Sequence, residues 1–131
     1  MTAAYEVHKA MKTLLTADTQ LTGLVQGIYD EAPESPVFPY VIVGDITASV
    51  DNMFRLDGRD MTATVHIFSQ YEGFKEAYEI QDRIEAVLNH AILPLDTLEP
   101  ILCQFEFSAA LRDPDGITRH VPVRFRVMVS Q

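Results

Sequence analysis

Residues 61–88 constrain the fold most tightly, because a strand, a short break and a helix follow one another there. Met61, Ala63, Val65 and Ile67 alternate with Thr62, Thr64 and His66, the period of two that marks a strand with one apolar face. After the break at Gln70–Gly73, Ala77, Ile80, Ile84, Val87 and Ala91 recur at spacings of three and four. Phe74 and Leu88 widen that stripe, and Lys75, Glu76, Glu79, Asp82 and Arg83 lie off it. The spacing predicts a helix over about 74–88, with Glu79 and Arg83 supporting it as an i,i+4 pair. A strand and a helix joined so closely bury each other's apolar faces, so the remaining segments must extend that sheet or that helical layer.

Ala4, Val7, Met11, Leu14 and Leu15 form the apolar stripe of an N-terminal helix from Thr2 to about Thr16, with Thr2 as its N-cap and Glu6, Lys9, Lys12 and Thr13 off the stripe. Asp18 or Thr19 caps a second short helix through Leu21, Leu24 and Val25, ended by Gly27, and Ile28–Tyr29 adds a short strand. Pro33, Pro36 and Pro39 make 30–39 an extended loop. In the strand from Tyr40 to Val50, Ile42, Gly44, Ile46, Ala48 and Val50 share one face and Asp45, Thr47 and Ser49 the other, with Val41 and Val43 on the polar side; Gly44 signals a bulge or a close backbone approach. This strand and Met61–Ser69 form a long antiparallel hairpin arm whose tip carries Met53, Phe54, Arg55 and Leu56. Asn89–Pro100 is a loop with at most a short strand near Leu95–Leu98.

Cys103, Phe105, Phe107, Ala109 and Leu111 alternate with polar neighbours, as do Val121, Val123, Phe125, Val127 and Val129, and Asp113-Pro114-Asp115-Gly116 between them is a turn sequence. The preferred register of this closing hairpin pairs residues whose numbers add to 230 and sets Glu106 opposite Arg124. Pro122 belongs at an edge, or with its nitrogen where no ladder bond is needed. The whole reads as one α+β domain over 1–131: a mainly antiparallel β-sheet with a long hairpin arm, and the N-terminal and central helices packed on one face.

With 19 acidic against 10 basic residues and a net charge of −9, the chain lacks the clustered cations that grip nucleic-acid phosphates. The lone Cys103 excludes an internal disulfide and reads as a buried apolar side chain. The N-terminus has no signal-peptide pattern and no apolar run is long enough to span a bilayer, so a soluble cytosolic protein is expected. The sequence holds no phosphate-cradling glycine loop and no metal-ligand spacing among His8, His66, His90 and His120, so no catalytic, cofactor or metal site is assigned. His66 and His120 lie on the polar faces of their strands as possible neighbours; a small metal-dependent enzyme built on them is the weakest of the functional readings. The apolar tip either folds back on its own sheet, leaving a monomeric binding module, or makes a subunit contact. The stripe of Arg124 and Arg126, with Arg119, pairs with Glu106 inside the sheet or with an acidic neighbour.

The succession IYDEAP, PYVIVGD, VHIFS, EAYEIQDRIEAVL, LRDPDG and HVPVRFRVMV resembles the tail completion or tail terminator (head-to-tail joining) family of long-tailed bacteriophages and prophages, over about Met1 to Val129. Phe68 takes the place of an aromatic that often closes the central strand in that family. The resemblance implies a non-enzymatic virion subunit without cofactors, forming a homo-oligomeric ring, commonly a hexamer, that caps the tail tube protein and offers a docking surface to a head completion or connector protein. DNA would pass through the ring without specific binding, helped by the acidic balance. Another connector component, an adaptor or stopper, is the alternative. The expected place is the head–tail interface of the virion, and the host cytoplasm during assembly, with no membrane partner. Met53, Phe54, Arg55, Leu56, Arg124 and Arg126 are the candidate subunit-interface residues.

Overall fold

The structure, a computed structural model, describes residues 2–51 and 58–131. These form α1 (Ala3–Ala17), α2 (Thr19–Leu24), β1 (Ile28–Tyr29), β2 (Tyr40–Asp51), β3 (Gly58–Ser69), α3 (Lys75–Leu88), β4 (Glu99–Ser108), β5 (Leu111–Arg112) and β6 (Arg119–Ser130). The strands lie in the order β1-β2-β3-β6-β4, with β5 beside β6. β1 runs parallel to β2 and every other described pairing is antiparallel, the α+β architecture expected from the sequence.

The helix boundaries follow from local chemistry. Thr2 caps α1 by accepting the Tyr5 N–H, and Asp18 caps α2 by accepting the Leu21 N–H, each satisfying a backbone donor that a helix start leaves unpaired. α2 stops at Leu24, short of Gly27, because Val25 turns extended and enters the core. Arg83 does not pair along its own helix with Glu79. It forms a two-pronged ion pair with Asp18, tying α3 to the start of α2.

One face of the sheet carries the core. Val7, Met11 and Leu15 of α1 and Ala77, Ile80, Ile84 and Leu88 of α3 meet Val41, Val43, Met61, Val65, Ile67, Val123, Phe125 and Val127 in a single buried cluster. Burying each large aliphatic side chain there contributes about 1.5–3 kcal/mol. Cys103 joins this core, and burial pushes its thiol up to about 11, far from the range of a nucleophile.

The expected face assignment of β2 is corrected by a bulge. Pairing shifts between Gly44 and Ile46, leaving Asp45 as the extra residue, with φ at +57°. An extra residue reverses the in–out alternation beyond it. Val41 and Val43 therefore face the core before the bulge, and Ile42 opposes His66 on the other face instead of sharing a face with Ile46. The bulge falls next to Gly44, where the sequence signalled one.

β3 and β6 form the unbroken centre of the sheet, in one register from Arg59↔Val129 to Ser69↔Arg119. β4 pairs with β6 as expected from Leu102↔Met128 to Phe105↔Phe125. Shifts on both sides make Ile101 and Glu106 extra residues and bring Phe107, not Glu106, opposite Arg124. Pro122 lies in this central strand, not at an edge; its carbonyl accepts from Ala109 at the break between β4 and β5, and its nitrogen faces the same break, where no ladder bond is required. The turn closes as its residues dictate, with Gly116 at φ +74° and its N–H donated to the Asp113 carbonyl.

The loop after α3 contains no strand before Glu99. It is held instead by Glu6, which the helical pattern placed off the apolar stripe yet which is only 2% exposed; its carboxylate accepts from the Asp96 and Thr97 N–H groups and the Thr97 hydroxyl. These bonds compensate a buried charge and hold the Glu6 carboxyl below its ordinary pKa. Among the described residues no helix is long and apolar enough to cross a membrane.

Candidate functional site on the open sheet face

Because the helices gather on the core side, the opposite face of the sheet has no described element over it. Its side chains come from alternate positions of four strands: Tyr40 and Ile42 of β2, Phe68, His66, Thr64, Thr62 and Asp60 of β3, His120, Pro122, Arg124, Arg126 and Met128 of β6, and Gln104 and Phe107 of β4.

Two cross-strand ion pairs organise one half of this face. Arg126 reaches Asp60 on β3 in a two-pronged contact, Nε to Oδ1 at 3.1 Å and Nη2 to Oδ2 at 2.9 Å, and the guanidinium holds the Asp60 carboxyl below its ordinary pKa. Arg124 Nε lies 3.3 Å from Glu106 Oε2, and its guanidinium lies over the Phe107 ring at 5.0 Å. The two arginines are thus engaged within their own sheet. Asp60 shares the alternation of Thr62 and Thr64, but only the β3–β6 register reveals its pairing with Arg126. Met53, Phe54, Arg55 and Leu56 lie outside the described residues.

Aromatic rings line the other half. Phe38 packs on Tyr40, Tyr40 stacks on Phe68 at 4.9 Å, and Phe68 stacks on His120 at 4.4 Å. The structure brings His66 and His120 together, as their strand faces allowed. His66 Nδ1 lies 2.7 Å from His120 Nε2, and His66 Nε2 lies 2.6 Å from Asp45 Oδ2. Asp113 Oδ1 lies 4.0 Å from His120 Nδ1. The facing imidazole nitrogens are at hydrogen-bond distance, closer than two ligands of one tetrahedral metal ion. Among the described residues no group of three or more His, Cys, Asp or Glu is placed to hold a metal. Surface of this kind, with paired charges and stacked rings, is suited to protein contact.

Comparison with known proteins agrees with the fold. The profile of the family described as tail completion protein gp17 matches residues 9–130. Tail completion protein gp17 of Bacillus phage SPP1 is 22% identical over 127 residues, covering 95% of this chain and 94% of that protein. Among solved structures, a chain of the virion of a native gene transfer agent particle superposes with a TM-score of 0.87 at 24% identity, covering 99% of this chain and 98% of that one. The structure of bacteriophage SPP1 gp17 superposes with a TM-score of 0.65 at 20% identity, covering 95% of this chain and 89% of that one. At these identities the structural likeness shows a shared fold.

Proposed function

The chain belongs to the tail completion protein gp17 family, a family of structural phage proteins, and from that premise we propose that it acts as a tail terminator: a single 1–131 domain whose copies close into a ring on the tail tube. The observation that carries this reading is the one-sided fold. All three described helices cover one face of the sheet, and the other face, with its ion pairs and stacked rings, is left for a neighbour.

A ring repeats one head-to-tail contact, so each subunit must present two different surfaces. The β2–β3 hairpin supplies the first. Its described part runs to Asp51 and returns at Gly58, and Val50 near its end is 54% exposed. Met53, Phe54, Arg55 and Leu56 at its tip are proposed to seat on the next subunit, where Arg124 and Arg126 mark the receiving face. Six is the expected number of subunits. The ring would meet the tail tube protein on one side and a head completion or connector protein on the other, with DNA passing through a lumen from which a net charge of −9 repels phosphate. The role is geometric and non-catalytic, at the head–tail interface of the virion after assembly in the host cytoplasm.

Light scattering over a concentration series, with negative-stain images, tests this on the wild type and on Phe54→Asp, first alone and then with purified tail tubes. Rings of about six subunits, free or on tubes, and lost in the variant, are expected. A protein that stays monomeric and binds no tube overturns the reading.

A further inference from the structure

A chain of four titratable side chains crosses the open face between two irregular segments. Asp45 is the extra residue of the β2 bulge, and Asp113 begins the turn that leads from β5 to β6. Between them His66 on β3 and His120 on β6 are diagonal neighbours, His66 opposing Pro122 and His120 opposing Phe68. Their side chains are 16% and 22% exposed.

The hydrogen-bond roles follow from chemistry. A carboxylate only accepts, so His66 Nε2 carries a hydrogen toward Asp45, which leaves Nδ1 of the neutral ring as an acceptor. His120 Nε2 must then donate to His66 Nδ1, and the bare His120 Nδ1 faces Asp113. One added proton goes to His120 Nδ1, beside that carboxylate, without disturbing the bond between the rings. A second has only His66 Nδ1 to occupy, which would put a hydrogen on both facing nitrogens.

We propose that the His66–His120 pair is a proton-operated clasp, which ties the β2 bulge to β6 across the open face while it holds at most one extra proton and opens when it takes a second.

The surroundings favour such stepwise behaviour. From β2 the pair is faced by Asp45 and by Ile42, with Tyr40 stacked beyond Phe68; from β3 it is faced by Phe68, from β5 by Leu111, and from the turn by Asp113. Along β6, Arg124 is engaged with Glu106, Arg119 donates to the Ile117 carbonyl, and Arg112 on β5 lies over the Phe74 ring, so no described cation points into the pair. Burial, and next the charge of His66, pull the pKa of His120 below its ordinary 6.5, against the opposing pull of Asp113 and Asp45. Two imidazoles in contact titrate as a unit with two separate steps, not as two independent groups.

Long-range ¹H–¹⁵N spectra of the ring nitrogens, with backbone amide spectra, recorded from pH 8 to pH 4, test the clasp. At pH 8 both rings should hold the hydrogen on Nε2. On acidification the pair should titrate in two steps, with the amides of Gly44–Ile46 moving only in the second. His120→Gln replaces the donor by one that does not titrate; it should abolish the two-step pattern. Rings without a tautomer preference at pH 8, or Gly44–Ile46 amides that stay in place throughout the range, overturn the proposal, and this wild-type result decides it even if the variant fails to fold.

Discussion

Glu6 on the first helix accepts the backbone N–H of Thr97 at 2.8 Å, a bond that spans 91 residues of chain and fastens the loop after α3 beneath α1. The carboxylate accepts from the Asp96 and Thr97 N–H groups and from the Thr97 hydroxyl, in a place where the sequence pattern expected solvent. Glu6→Gln cannot accept all three without leaving an amide hydrogen misdirected, so the loop at 94–98 should lose amide-exchange protection and the urea midpoint should fall.

The acid limb of stability should reflect the same contacts. Glu6, Asp18, Asp60 and Asp115 all have carboxyl pKa values held down in the fold, by Thr97, Arg83, Arg126 and Thr118 respectively. A depressed pKa means that the unfolded chain binds protons first. The stabilisation is therefore complete above the ordinary carboxylate range, 3.8–4.5 for these groups, and is lost as pH falls through the lower folded values. Urea denaturation at stepped pH should show a decline below about pH 4.5, shallower in Asp60→Asn than in the wild type.

A separate decline should lie at milder acidity. His120 has a lowered pKa, so the unfolded chain takes up its proton at a higher pH than the fold does, and the fold loses stability as pH falls through 6.5 toward the lower folded value. His120→Gln should flatten the curve in that window and leave the carboxylate limb in place.

Asp18 serves two elements, as the N-cap of α2 and as the partner of Arg83 on α3. Asp18→Ala should cost about 1 kcal/mol for the cap alone and more for the stranded guanidinium. Asp18→Asn keeps the cap and should cost less; chemical denaturation of both variants measures the difference.

Phe125 is the largest side chain fully buried in the core, edge-on to Phe105 with ring centroids 6.2 Å apart. Phe125→Ala should destabilise by about 3–5 kcal/mol, enough to unfold a large fraction of the protein on gentle heating, as a thermal melt would show.

Much of this fold is legible in the sequence because its signals are local. The alternation of Met61–Ile67, the stripe of Ala77–Ile84, the caps Thr2 and Asp18 and the turn at Asp113–Gly116 each depend on residues a few positions apart, and each forms as read. The misreadings share one cause, which is that a single residue out of step, or a partner far away in sequence, leaves no periodic trace. Asp45 reverses the faces of β2 without altering its composition. Glu6 looks solvated until the loop at 94–98 folds over it. The closing hairpin shows both sides of this: its expected register holds in the middle, while the bulge at Glu106 moves Arg124 opposite Phe107 and still leaves the two charged groups together. On the open face, the meeting of His66 with His120 and of Asp60 with Arg126 depends on the β3–β6 register, which no short turn fixes.

The placement of the irregularities bears on how a chain of this kind can change over generations. Asp45, Ile101 and Glu106 are extra residues in β2 and β4, the strands that flank the central pair, whereas β3 and β6 run without a slip. Deleting one residue at such a bulge shortens a flanking strand locally, but deleting one within β3 or β6 would turn every side chain beyond it from the core to the open face. Relatives should therefore differ in strand length at these margins, while the spacing within the two central strands stays fixed.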